Sequence, residues 1–271
     1  MKKYLYSLAL ASAVIGLNSC DSTQDEPHIQ WYPVVTLEGD EVCYVEVGSD
    51  WTLPGFTAIN TMTGEDATSK VEVLIYDVIA GGYVSSIDTS YPGMYNVEYN
   101  SYGSEVSTTP TVQKIREVYV YDPDVTDSIA GTWVLNMSES YELYEGEKYY
   151  FADDYGDVTS VVTISDVLPG FFNDGDLLCG LYSTVMNMDK NYASYLSQYG
   201  PNCFKLTGFL SMNTEGDITL LSWQRYSSFF NGFSVSNGKY DMETETISYN
   251  AALTWDPFGG APQYYYVLEK Y

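Results

Sequence analysis

Histidine and basic side chains are scarce in this sequence of 271 residues. It contains one histidine, His28, and 11 lysine and arginine residues against 37 aspartate and glutamate residues, which gives a formal net charge of −26. Because His28 lies in a polar segment before the first predicted strand, a Ser-His-Asp triad or a Cys-His dyad is not expected, and a single histidine cannot make a histidine-rich metal site. The negative charge excludes nucleic acid as a partner, since such a surface repels phosphate backbones.

Cysteine is also rare, and the spacing of the four cysteines matches no zinc site. Cys43 lies in an alternating apolar run and is expected to face a core. Cys179 and Cys203 could form a disulfide, which would close a loop of about 25 residues and contribute about 3 kcal/mol. The acidic loops at 153–157 and 173–176 lack the full spacing of a calcium loop, and no glycine-rich phosphate loop is found. The sequence therefore predicts no metal and no cofactor.

No hydrophobic run is long enough to span a bilayer, and the longest, residues 5–17, follows two lysines. This arrangement is typical of a secretion signal. Leu17-Asn18-Ser19-Cys20 resembles the lipobox of bacterial lipoproteins, which implies a signal peptide over 1–19 and a diacylated Cys20. The alternative is an ordinary secretory signal that is cleaved near Ser19.

Residues 20–33 are predicted to form a flexible tether, because Asp21 to Pro27 is short, polar and acidic. Acidic residues directly after the lipidated cysteine resemble the surface-export signal of lipoproteins from Gram-negative gut commensals. The resemblance implies an outer-membrane protein that is anchored to the membrane through its lipid and faces the cell exterior.

Residues 34–121 contain several short apolar alternations separated by turn residues, which predicts a β-sandwich. Six blocks resemble, in order and spacing, the bacterial immunoglobulin-like modules of surface lipoproteins: Gly39-Asp40, Val45 to Ser49, Pro54 to Ala58, Gly64 to Asp66, Pro92 to Tyr99 and Arg116 to Val120. In such a module Phe56 would fill the core, and alternate residues from Tyr95 to Tyr99 would line one face of a central strand. Modules of this kind are usually spacers or platforms.

Asp122-Pro123-Asp124 predicts a hinge over 122–127, followed by a second antiparallel β-domain over 128–271. Gly131-Thr132-Trp133 resembles the opening of lipocalin-like barrels, in which the tryptophan closes the barrel floor. Further strands are predicted at 158–165, 177–186, 203–212, 218–225, 232–240, 246–255 and 263–271, with a turn at Asn237-Gly238 and a short helix at 190–199. Every second residue from Ile247 to Trp255 is apolar, so this row is expected to face a core or a lumen. The chain is therefore expected to be all-β, with an immunoglobulin-like sandwich followed by a barrel or a second sandwich.

Aromatic residues are abundant, with 28 tyrosines and 5 tryptophans. Rings with a polar group suit the recognition of flat polar ligands such as sugars, although β-structure alone also favours them. Two candidate ligand-binding groups stand near strand ends. They are Trp255, Asp256, Phe258 and Tyr264, and Trp223, Arg225, Tyr226, Phe229 and Phe230. Their rings could stack on a sugar while Asp256 or Arg225 binds hydroxyl groups; alternatively, the rings fill the barrel ends.

The C-terminal half also resembles the second domain of accessory lipoproteins of starch-utilisation-type outer-membrane glycan importers. Together these features predict a non-enzymatic surface lipoprotein that binds glycan as an accessory of a polysaccharide uptake complex. One alternative is a calycin-like barrel that holds an apolar small molecule. Others are a structural or adhesive subunit that binds another surface protein, and a carboxylate-pair glycosidase using Glu243 and Glu245 on one strand face.

Overall fold

The computed structural model describes residues 33–102, 112–156, 158–186, 191–226, 230, 232–255 and 261–271. The predicted signal peptide, Cys20 and the tether up to residue 32 lie outside these residues. Among the described residues, no helix combines the length and the apolar character that crossing a membrane requires.

The described part of the N-terminal module contains seven strands and one short 3-10 helix, Thr68–Lys70. The strands are β1 (Pro33–Leu37), β2 (Val42–Glu46), β3 (Phe56–Asn60), β4 (Glu72–Asp77), β5 (Gly82–Val84), β6 (Gly93–Ser101) and β7 (Val112–Tyr121). Five of them form a sheet in the order β2-β7-β6-β4-β5, with β2 parallel to β7, while β1 and β3 pair in a second, antiparallel sheet.

The core of this module lies between the two sheets. Val35 and Ala58 from the smaller sheet join a buried cluster with alternate residues of β6 from Tyr95 to Tyr99. Phe56 packs edge to face against Tyr99, with ring centroids 4.9 Å apart. The predicted immunoglobulin-like sandwich is therefore confirmed, together with the inward face of its central strand.

Arg116 on β7 is a fully buried cation in this module. Its guanidinium donates to the backbone carbonyl oxygens of Glu38 at 2.5 Å and Asp40 at 3.0 Å. It also donates to the carbonyl oxygen of Pro54 at 2.6 Å and to the Tyr99 hydroxyl at 2.9 Å. Since a buried charge is tolerated only when it is hydrogen-bonded, Arg116 ties the loop after β1 and the segment before β3 to the large sheet.

The described part of the C-terminal domain contains ten strands and three short helices. The strands are β8 (Gly131–Leu135), β9 (Tyr141–Tyr144), β10 (Glu147–Tyr150), β11 (Val161–Leu168), β12 (Phe171–Asp174), β13 (Leu206–Met212), β14 (Asp217–Arg225), β15 (Gly232–Asp241), β16 (Thr246–Trp255) and β17 (Gln263–Lys270). The helices are α1 (Phe151–Tyr155), α2 (Leu181–Met186) and α3 (Tyr192–Tyr199), of which α3 confirms the predicted helix.

Eight of these strands close into an antiparallel barrel. Their order is β8-β11-β12-β13-β14-β15-β16-β17, and β17 returns to β8 through the pairs of Leu268 to Lys270. The first part of β17, Gln263 to Tyr265, pairs with β9 instead. The hairpin β9–β10 therefore extends the sheet outside the closed ring, and the second domain is a barrel rather than a sandwich.

Large side chains fill the described part of the barrel interior. Trp133 on β8 is fully buried and donates from Nε1 to the carbonyl oxygen of Ile129 at 2.8 Å, which confirms its predicted place in the core. The predicted inward row of β16 is confirmed for its buried members Ile247, Tyr249, Ala251 and Leu253. Tyr249 and Tyr266 are in ring contact across β16 and β17, with centroids 5.5 Å apart.

The predicted strand at 177–186 is wrong, because its first part forms a turn and its second part forms α2. Asp174 Oδ1 accepts a hydrogen bond from the backbone N–H of Asp176, and Asp176 Oδ1 accepts one from Leu178. These two bonds turn the chain directly after β12, and Cys179 then adopts a left-handed φ of 56°. The apolar run is buried, as its composition indicates, but in a turn.

The predicted turn at Asn237-Gly238 is also wrong, since both residues lie inside β15. The register with β16 shifts between Ser236 and Lys239, which makes a bulge that uses the positive φ of Asn237. The hairpin turn comes after β15 instead. It contains Glu243 and Glu245, which therefore do not share a strand face.

Cys179 and Cys203 do not form the predicted disulfide. Cys179 Sγ lies 2.9 Å from the hydroxyl oxygen of Tyr249 inside the barrel. Cys203 Sγ lies 4.0 Å from the carbonyl oxygen of Tyr195 on α3. The turn after β12 directs the two sulfur atoms to different surroundings, and burial raises the pKa of the Cys179 thiol, which keeps it protonated.

Candidate functional site

The predicted binding group at the end of β16 is partly described. The backbone of Trp255 ends the strand, while its side chain, Asp256 and Phe258 lie outside the described residues. Tyr264 faces the barrel interior and is 7% exposed. Its hydroxyl shares a hydrogen bond with that of Tyr182, and burial raises the pKa of Tyr264. Tyr264 is thus a core ring, which agrees with the alternative that the rings of this group fill the barrel and not with a position on a binding rim.

The second predicted group lies at the end of β14. Phe230 is buried and accepts a hydrogen bond at its carbonyl oxygen from Arg225 Nη1 at 2.8 Å, so it is not a rim residue. Trp223 packs edge to face on Phe233 of the barrel core. Tyr226 is 56% exposed. Phe229 lies outside the described residues, and a binding role of this group stays a prediction.

A cleft lies on the outer face of the barrel where β9 joins β17. Cross-strand pairing aligns one row of residues over β15, β16, β17 and β9, namely Ser236, Asn250, Tyr265 and Tyr141. The adjacent row is Ser234, Ala252, Gln263 and Leu143. Side chains alternate between the two faces of a strand, and the neighbours of these residues on β16 and β17 are buried. Both rows therefore face outward and line a cleft of about 340 Å³.

The hairpin β9–β10 supplies the aromatic wall of the cleft. Its turn residues Glu145 and Gly146 have φ angles of 52° and 86°, the left-handed pair that a tight two-residue hairpin requires. Tyr141 pairs with Tyr265 on β17 and with Tyr150 on β10, with ring centroids 5.2 and 5.6 Å away. The three rings form a tyrosine row that leads from the cleft to the edge of the sheet.

Lys148 on β10 contacts the ring of Tyr141, the central residue of the tyrosine row. Its ammonium nitrogen lies 4.2 Å from the centroid of the Tyr141 ring, within the range of a cation–π contact. The hydrogen bond to the Tyr141 side chain raises the pKa of Lys148. Tyr141 is therefore flanked by the Lys148 ammonium and by the rings of Tyr150 and Tyr265.

The polar groups of the cleft are uncharged. The described lining contains the hydroxyls of Ser234 and Ser236 and the amides of Asn237, Asn250 and Gln263, and none of its residues is Asp, Glu, Lys or Arg. Each side-chain amide offers hydrogen-bond donors on its nitrogen and an acceptor on its oxygen. The tyrosine rings offer a flat apolar surface. The arrangement suits a ligand that combines an apolar face with many hydroxyl groups.

This cleft was not predicted from the sequence. The segment from Tyr141 to Tyr150 has Glu145-Gly146 at its centre and tyrosines on both sides, which is the signal of a hairpin. Its neighbour Tyr265 is distant in the sequence. Only the pairing of β9 with β17 brings the rings together.

The two modules match known families. The model described as the Ig-like domain of a bacterial surface protein matches residues 35–120. The BT2262-like C-terminal domain matches residues 122–267, more than half of the chain. The chain belongs to the BT2262-like family. The N-terminal match confirms the resemblance to immunoglobulin-like modules of bacterial surface proteins.

One solved structure with which this BT2262-like protein can be compared is that of the lipoprotein BT2262 from Bacteroides thetaiotaomicron. The two chains are 22% identical over 88% of this chain and 100% of that chain, with a TM-score of 0.39. A comparison with curated proteins gives no match.

The BT2262-like domain also contains a pair of buried carboxyl groups, Asp174 and Asp176, next to Cys179 in the barrel interior. Burial raises the pKa of each carboxyl to about 7. Within the described ranges, no group of three or more His, Cys, Asp or Glu residues could hold a metal ion.

Proposed function

We propose that this protein captures glycan at the cell surface without cleaving it, through the cleft that Tyr141 and Tyr265 line. The observation that carries the proposal is the outward row in which these two rings stand beside Asn250 and Ser236. A sugar ring has apolar faces of C–H groups and an equatorial rim of hydroxyls. Tyrosine rings match the faces, while amide and hydroxyl groups match the rim.

The packing of the barrel favours this proposal over the apolar-ligand alternative. A carrier of an apolar molecule needs a large dry lumen. The described interior is occupied instead by rings in mutual contact, such as Trp133 with Tyr240 at 6.2 Å and Phe151 with Tyr266 at 5.9 Å. The outer cleft is the better candidate because its polar groups stay accessible.

The proposed location of the protein is the outer face of the outer membrane. Cys20 would carry the lipid, residues 20–33 would serve as the tether, and the immunoglobulin-like module would hold the barrel away from the membrane. The match to domains of bacterial surface proteins supports a surface location. In this arrangement the protein would act as an accessory of an outer-membrane polysaccharide importer.

A glycan array with the soluble chain from Asp21 to Tyr271 tests the binding function. The Tyr141→Ala and Tyr265→Ala variants should each weaken binding of a positive glycan by about five- to thirty-fold, since an aromatic anchor contributes about 1–2 kcal/mol. Tyr144→Ala is the matched control, because Tyr144 is 58% exposed on the same hairpin and does not line the cleft. Calorimetric titration gives the affinities, and chromatography checks that the glycan stays intact.

Two results would contradict the proposal. The first is the absence of any glycan ligand. The second is unchanged affinity in both cleft variants, and a loss on Tyr226→Ala instead would move the site to the group at the end of β14.

A further inference from the structure

We infer that the cleft is one end of a longer binding platform, and that its ligand is a neutral, linear glycan lying across the strands. The inference rests on the proposed function. It adds a ligand class and a second contact point, Tyr150 on the edge strand β10.

The platform is defined by strand register. The row that begins with Ser236, Asn250 and Tyr265 continues through Tyr141 to Tyr150, so that it crosses five strands from β15 to β10. Neighbouring strands lie about 5 Å apart. A row over five strands is therefore longer than one sugar ring, and a chain of several rings can contact both the cleft and Tyr150.

The end of the platform is open. β10 is the edge strand of the sheet, and all four of its residues are exposed. Tyr150 is 37% exposed and meets Tyr141 in an edge-to-face contact. Because no described strand pairs with the outer side of β10, a long glycan chain can extend past this edge, as the recognition of a segment inside a linear polymer requires.

Charge selects against acidic glycans. The cleft lining carries only hydroxyl, amide, aromatic and aliphatic side chains, while the whole chain has a formal net charge of −26. A uronate or a sulfate would therefore be repelled at long range and would find no cation in the cleft. Lys148 pairs with Leu143 and therefore lies on the same face as the tyrosine row, but its ammonium is directed at the Tyr141 ring.

The test uses the chain from Asp21 to Tyr271 and measures the affinity for defined oligosaccharides by calorimetry. The neutral probes are disaccharides and hexasaccharides of the malto, cello, xylo and manno series, and the acidic probe is a hexamer of galacturonate. At least one neutral hexasaccharide should bind about tenfold more tightly than its disaccharide, with little change when salt is raised.

The Tyr150→Ala variant should remove most of this gain for the hexasaccharide and leave the disaccharide affinity unchanged. Tyr149→Ala is the matched control, because Tyr149 is the adjacent residue of β10, is 45% exposed and alternates to the other face. Its affinities should equal those of the unmodified chain.

Three outcomes would overturn the inference. Equal affinity for the disaccharide and the hexasaccharide, with both lost in Tyr265→Ala, would leave the glycan function intact and refute the long platform. Binding of the galacturonate hexamer that is as tight as neutral binding and is lost in Lys148→Met would refute the neutral class. Failure of every probe to bind would refute the inference together with the proposed function.

Discussion

Asp174 and Asp176 illustrate how single residues set the pH behaviour of the barrel. Both are at most 4% exposed, and each uses Oδ1 to accept a backbone N–H. The Oδ2 atoms have no hydrogen-bond partner among the described residues. Burial therefore raises the pKa of each carboxyl from 3.8 to about 7, because the charged form loses its hydration.

These pKa values predict that the free energy of unfolding falls as the pH rises from about 4 to about 7. In this window the folded protein keeps protons on both carboxyls that the unfolded chain releases, so unfolding releases protons and a higher pH favours it. Above the folded-state pKa the contribution is constant. The Asp174→Asn variant should show a smaller dependence of the melting temperature on pH.

The control for this prediction is Asp50→Asn, which makes the same chemical substitution at an exposed position. Its pH profile should follow that of the unmodified protein. If the melting temperature of the unmodified protein rises between pH 4 and pH 7, or if both variants flatten the profile equally, the two buried carboxyls do not govern the stability.

Strand β15 shows at the scale of one element how a local signal can mislead. Asn237-Gly238 is a common hairpin turn in sequences, but here it makes a bulge within a strand of ten residues. A glycine is needed because β14 approaches closely. A Cβ atom at position 238 would lie 2.5 Å from the carbonyl oxygen of Ile218.

The Gly238→Ala substitution should therefore lower the free energy of unfolding by about 1–3 kcal/mol, the usual cost of overpacking. Urea denaturation followed by tryptophan fluorescence measures the change. Gly82→Ala is the control, since no atom lies within 4 Å of its added Cβ. Equal stability of the two variants would mean that β14 and β15 are not in close contact at this point.

At the scale of the whole molecule, the described residues form two separate cores. The buried cluster of the sandwich contains residues from Val35 to Val120, and that of the barrel contains residues from Val125 to Leu268. Val125 belongs to the barrel core although it falls in the predicted hinge at 122–127. The exact domain boundaries stay a prediction, and so does the attachment of the molecule to a membrane.

Replacement of Cys20 by alanine should abolish the attachment. Cys20 is the one residue that is proposed to carry lipid. When a detergent extract of the cells is separated into two phases, the variant should therefore move from the detergent phase to the aqueous phase. Cys43→Ala should behave like the unmodified protein. Mass spectrometry of the purified N-terminus gives the direct result, and an unmodified Cys20 with residues 1–19 still attached would refute the anchor.

Local patterns in the sequence were sufficient for the module order and for much of the strand content. The alternation along β6 and β16 identified which side chains face a core, because burial of one strand face follows directly from a period of two. The block pattern from Gly39 to Val120 identified the sandwich. The absence of histidine-dependent catalysis and of nucleic-acid binding, which the scarcity of histidine and cations indicates, stays a prediction.

Only the tertiary structure decided between a barrel and a sandwich, and only it located the cleft. Both depend on β17, which pairs with β8 at one end and with β9 at the other. Such long-range register leaves no local periodicity, so the tyrosine row from Tyr265 through Tyr141 to Tyr150 was not visible in the sequence. The same limit explains Tyr264, whose aromatic character was evident, but whose burial was determined by the closure of the barrel around it.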